Sequence, residues 1–206
     1  MTVPLMLCLV AVVIPVFFSK ISSAPSWLGL HALALGWVTL HGEAGEGSLS
    51  LHTLLVGLEI LLVRAILVPY MLRRALRHHP ETRLSLMPSN LFTWIIAVVL
   101  IIFAFKFGDG ARADARALTL GVVAATVVTA FLILATNPEP RAQLVAVLFM
   151  ENALALFETL MPEPWPLVVH LAISAVYLLT VGIGCWLMKE SPVAENQSVT
   201  ISGEVP

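Results

Sequence analysis

LVAVLFMENALALFETLM, residues 144–161, is apolar enough to sit in a lipid bilayer, yet it carries two carboxylates, Glu151 and Glu158, and an amide, Asn152. A soluble helix of this composition would place its acids on a wet face. Here the flanking turns "TNPEPR" (136–141) and "MPEPWP" (161–166) bound an apolar run of the length that crosses a bilayer. The stretch therefore reads as a transmembrane helix with ionisable groups inside it, and the rest of the chain has to be consistent with that.

Of the 206 residues, 59% are apolar and 12% charged, and the mean hydropathy is +0.94. A soluble domain carries about 25% charged residues. The apolar excess comes in long runs, which makes the chain an all-α, polytopic membrane protein. A net charge of −2 supplies no basic field for nucleic acid. Cys8 and Cys185 lie inside apolar runs as small buried hydrophobes rather than a disulfide. No C-x-x-C, H-E-x-x-H, P-loop or G-x-G-x-x-G occurs, so no cofactor and no metal is expected. The first apolar run lacks a basic n-region and a small-x-small cleavage site, and reads as a retained helix.

Seven hydrophobic segments run near 3–19, 27–41, 49–72, 91–107, 118–135, 142–161 and 165–188. The second is short, with a polar flank "HGEAGEG", and is expected to tilt little or end in an unwound turn. "PSN" at 88–90 offers an N-cap to the fourth helix. The two proline-rich turns make the last three helices tight antiparallel neighbours. Three regions follow: a four-helix part at 1–117, a three-helix part at 118–190 and a polar tail at 191–206, expected to be poorly ordered.

Placing "RRALRHHPETR" in the cytoplasm puts Arg73, Arg74, Arg77, Arg83, Lys20, Arg141 and Lys189 inside, against Lys106, Arg112 and Arg116 outside. Positive residues favour the inside, so the expected topology is N-terminus out, C-terminus in. Trp94 then lies near the inner interface and Trp165 near the outer one.

Five ionisable residues fall within the spans: Glu59 and Arg64 in the third, Glu151 and Glu158 in the sixth, His170 in the seventh. A charge at mid-bilayer costs about 2.5–3.5 kcal/mol even on insertion scales, so such groups pair, face water or carry ions. At about 1.5 Å rise per residue, Glu151 and Glu59 come close to the midplane. Glu59 and Arg64 are five residues apart, which does not suit an α-helical ion pair; Arg64 is expected to meet an acid on another helix or chain. Glu151 and Glu158 share a face about 10 Å apart, as two stations bridged by water. His170 lies at the depth of Glu158 and could form an outer access point with it. Asn152, on a different face, can hydrogen-bond an adjacent helix. Plainer readings exist: Glu158 snorkelling to the interface, His170 as a packing histidine, Arg64 as a structural counter-charge.

"VRAILVPYMLRRALRHHPE" (63–81) followed by "LFMENALAL" (148–156) resembles the hydrogenase-4 component E family, membrane-arm subunits of formate hydrogenlyase-type and other complex-I-like assemblies. Residues 118–188 are also similar to the three-helix K-type subunit of complex I and to the C subunit of multisubunit cation/proton antiporters. The resemblance implies an inner-membrane location, antiporter-like large subunits as partners, no redox centre in this chain, and a hydrated path through Glu151. Two departures stand out. Relatives often carry a second acid in the last helix, where "HLAISAVYLL" offers His170 or Ser174. They also tend to have lysine where this chain has Arg64, and arginine does not release a proton. Glu59 and Glu158 are candidates to replace the missing acid.

The expected function is thus a small membrane-arm subunit whose buried carboxylates serve a proton or cation path. A self-contained oligomeric transporter or channel, and a membrane scaffold without an ion path, are the alternatives.

Overall fold

In the computed structural model of the chain, residues 2–18, 20–44, 50–77, 85–87, 91–108, 114–163 and 165–201 are described, with side chains up to 188 except those of 42–44 and 108. The expected cap at 88–90 and the cations Arg83 and Arg112 lie outside these residues, as does the side chain of Lys189.

Among the described residues the secondary structure is helical. Seven helices follow in chain order: α1 (Thr2–Phe18), α2 (Ala24–Ala44), α3 (Leu51–Leu76), α4 (Leu91–Gly108), α5 (Ala115–Thr136), α6 (Pro140–Glu158) and α7 (Leu167–Ile201). Three starts have a visible local cause. Ser50 caps α3 by accepting from the Thr53 amide at 3.1 Å, and Asp114 caps α5 by accepting from the Ala117 amide at 2.7 Å. Pro140 opens α6, where its missing N–H is not needed. The helices α3, α5, α6 and residues 167–188 of α7 are long and apolar enough to cross a membrane; α1 and α4 are apolar but shorter.

Four helices, α1, α2, α6 and α5, close a ring, each packed on the next. Leu5, Leu28, Leu35, Val122, Val145 and Phe149 fill it and are fully buried or nearly so. The helix α3 lies on the outside of α2, α4 on the outside of α5, and α7 over the groove between α3 and α6. At one end of the bundle Asn137 ties the α5–α6 turn to the segment before α4, its amide donating to the Leu86 carbonyl at 2.8 Å and to that of Ser85 at 3.2 Å.

Three expectations need correction. The second helix is not short: it runs for 21 residues, because a 3₁₀ turn at Ile21–Ser23 and Pro25 start it before the apolar run begins. The helix α7 is not a tight neighbour of α6. It rests mainly on the far half of α3, with Tyr177, Val181 and Met188 facing inward and most of its other side chains exposed. Nor does it stop near 188: the helix continues to Ile201 through Pro192, into what read as tail.

The decisive local feature is in α3. From Ile60 to Leu67 the helix winds as a π-helix, with about one extra residue in the turn. Pro69 explains it. Proline has no N–H for the Ala65 carbonyl, and in an α-helix its ring would press on that carbonyl. Wider winding just before Pro69 relieves the clash.

Candidate functional site

The π-turn brings Glu59 and Arg64 together. Five residues make slightly more than one turn of such a helix, so the spacing that does not suit an α-helical pair suits this one. Arg64 Nε lies 3.5 Å from Glu59 Oε1. The expectation that Arg64 takes its acid from another helix or chain is therefore wrong, and the winding is the reason. At an effective dielectric of about 20, two unit charges at 3.5 Å attract by about 5 kcal/mol. That is comparable with the ~5–7 kcal/mol of inserting both charges singly, so the pair is what makes two charges tolerable in one apolar helix.

Arg64 is 2% exposed. Its Nη1 donates to Asn152 Oδ1 at 3.2 Å and to the Glu151 carbonyl at 3.3 Å. Its guanidinium sits 4.6 Å from the centre of the Tyr177 ring, a cation–π contact. Asn152 thus makes the contact to a neighbouring helix that its place on α6 suggested, and α3, α6 and α7 meet at one cation.

The three carboxylates differ in how well they are held. Glu59 Oε1 accepts from the Ser174 hydroxyl at 2.6 Å besides its ion pair. Glu158 Oε1 accepts from His170 Nε2 at 2.7 Å and from the Trp165 amide at 3.1 Å. The Glu158–His170 pair expected from depth alone is formed. Glu151 is the exception: Oε1 is 3.4 Å from the Thr180 hydroxyl, which lies closer, 2.9 Å, to the Val176 carbonyl. Its buried Oε2 has no protein donor. A bond of 3.4 Å between oxygens is long, so the acid nearest the middle of α6 is the least satisfied one.

Beside these groups lies a cavity of about 550 Å³. The cap residue Ser50, His52 and Thr53 of α3, Arg116 and Thr119 of α5, and Glu158 and His170 line its outer part, and Glu59 and Arg64 its inner part. Glu151 is not among its lining residues. The cavity therefore joins Glu158 to Glu59, not to Glu151 as the shared face of α6 suggested. Two bulky lining groups, Glu158 and His170, crowd its outer end with His52, whose ring stands edge-on to His170 at 5.5 Å and whose Nε2 is 3.0 Å from the Trp165 carbonyl oxygen.

Sequence reasoning missed His52, Tyr177 and Thr180. A signal existed for each. His52 is seven residues before Glu59 and so on its face of α3, while His170, Ser174, Tyr177 and Thr180 form one stripe on α7 at helical spacing. That stripe meets, in order, Glu158, Glu59, Arg64 and Glu151. Comparison of the chain with protein-family models, with curated proteins and with solved structures finds no match, so the arrangement of these side chains is what the functional reading rests on.

Proposed function

We propose that this chain is a multi-pass subunit of the inner membrane that serves a proton or cation path in a complex-I-like membrane arm, beside antiporter-like large subunits. The observation that carries the ionic role is the unequal satisfaction of the acids around Arg64. At Oε1 Glu59 accepts from a hydroxyl and lies 3.5 Å from a guanidinium nitrogen, and Glu158 accepts from an imidazole and an amide, whereas Glu151 has one long bond and a buried Oε2 without a protein donor. Most buried carboxylate oxygens have a hydrogen-bond partner. One left open beside a fixed cation can bind and release a proton, or exchange a water, without dismantling its surroundings. Arg64 cannot relay a proton itself; it supplies a fixed positive charge beside the acids. The resemblance of "LFMENALAL" to component E sequences supplies the choice of assembly.

The test is Glu151→Gln in the intact cell, with complex abundance and proton uptake by inverted vesicles measured together. The expected result is normal assembly with pumping lowered about tenfold or more, the loss typical of a removed acid–base group, and a smaller loss for Glu158→Gln. Wild-type pumping by a fully assembled Glu151→Gln complex would sink the ionic role. Failure of the chain to co-purify with any large membrane subunit would sink the assembly role.

A further inference from the structure

The cavity and the Glu151 side chain reach the surface at different places. Ser50, Ala115, Arg116 and Pro162, all exposed, line the cavity where α3 and α5 begin and α6 has ended. Glu59 lies nine residues along α3 from Ser50, about 14 Å deeper at α-helical rise, and Arg64 follows it. Glu151, by contrast, is part-exposed on the stripe of α6 that includes Met150 and the exposed Leu154. The guanidinium of Arg64 is paired to the Glu59 carboxylate through Nε and donates through Nη1 to the backbone carbonyl of Glu151.

We infer that the cavity is an aqueous vestibule delivering protons, rather than metal cations, from the Glu158–His170 end of the bundle to Glu59, with Arg64 as the seal between it and Glu151. This deepens the ionic reading above and rests on it for its physiological meaning. Water is expected inside: a volume near 550 Å³ takes on the order of ten waters, and Thr39, Thr53 and Thr119 supply hydroxyls along the wall. The choice of proton follows from charge. The ionisable groups facing Glu59 are Arg64 and Tyr177, with Arg116, His52, His170 and Glu158 along the approach. A metal cation travelling inward passes one guanidinium and ends against another. A proton can be handed along waters and the imidazole–carboxylate pair, and adds to Glu59 while Arg64 stays in place.

The test uses the full-length chain in native membranes, with Cys8 and Cys185 replaced by alanine. Single cysteines are placed at Ala155, which lines the cavity and is half-buried, and at Leu154, which is more exposed but on the outer apolar face. An anionic, membrane-impermeant thiosulfonate is added from the side that bears Glu163. Only a hydrated thiol ionises readily, so Ala155→Cys is expected to react about tenfold or more faster than Leu154→Cys despite its lower exposure. Equal rates, or faster reaction at Leu154→Cys, overturn the vestibule. Acid-side labelling of the unaltered protein with a water-soluble carbodiimide, mapped by mass spectrometry, keeps the test independent of folding of the variants. Glu59 should be modified ahead of Glu151, and the reverse order refutes the seal. Exchanging potassium for sodium at constant ionic strength should leave the Ala155→Cys rate unchanged; protection by sodium overturns the choice of proton. None of these readouts is pumping, so a Glu151→Gln complex that still pumps would remove the ionic reading and leave the vestibule standing.

Discussion

Arg64 concentrates the energetics of the site in one side chain. It is buried, paired to Glu59 and bonded to two acceptors on α6. Removing one partner of a buried ion pair leaves the other charge uncompensated, at a cost of about 3–5 kcal/mol. Arg64→Leu should therefore lower the melting temperature of the detergent-solubilised chain sharply. Glu59→Gln with Arg64→Leu should recover much of that loss, because the double variant no longer leaves the Glu59 carboxylate without its partner. A double variant that is as unstable as the sum of the singles would show that Arg64 acts through Asn152 and Tyr177 instead. Arg64→Lys keeps the charge and loses the fork that reaches both Glu59 and Asn152, so it should fall between. At this scale the sequence was informative about residue type and poor about partners. Glu59, Arg64, Glu151, Glu158 and His170 stand out because charge in an apolar run is costly. Which of them touch depends on helix winding and rotation, and hydropathy carries neither. Glu158 with His170 could be anticipated because both lie near helix ends joined by a short turn.

Among the elements, α3 departs furthest from what periodicity suggests, and the departure traces to Pro69. The carbonyl that proline leaves without its usual donor, that of Ala65, faces Gly29 of α2: a Cβ built on Gly29 would lie 3.2 Å from that oxygen. Gly29→Ala sets a methyl group tightly against a backbone oxygen, which must give by a few tenths of an ångström, and should destabilise the chain by about 1–3 kcal/mol. Gly182 of α7 is the control, with nothing within 4 Å of a built Cβ. Gly182→Ala should be neutral or stabilising by up to about 1 kcal/mol, through the better helix propensity of alanine. Thermal unfolding of the two variants side by side checks this, and a harmless Gly29→Ala would mean that α2 does not pack closely on the π-turn. A reading that assumed α-helical geometry throughout had no means of pairing residues five apart. The proline was visible in the sequence, but its effect reaches back over the preceding turns, where nothing but apolar side chains marks it.

For the molecule as a whole, seven helical segments were legible because apolar runs separated by prolines and polar residues leave little choice. Their packing was less so: ring closure by α1, α2, α6 and α5 depends on side-chain fit that hydropathy does not encode. Lys20, Arg73, Arg74, Arg77 and Arg141 gather at the end of the bundle opposite Glu158 and His170, as the helix directions require. If that end is cytoplasmic, as the positive-inside rule expects, an impermeant thiol reagent added to intact cells should label Glu163→Cys and not Arg74→Cys, both exposed positions; the opposite pattern inverts the topology. The stripe on α7 has one more consequence, which concerns biosynthesis. Each charged group of the site, on α3 or α6, receives a contact from α7, and α7 is made after both. Until it emerges from the ribosome, Glu59 lacks the Ser174 hydroxyl, Arg64 the Tyr177 ring and Glu158 its imidazole. A nascent chain arrested before residue 167 would hold the charged cluster of α3 and α6 without its α7 wall, so the order of translation postpones a finished cluster until α7 is threaded.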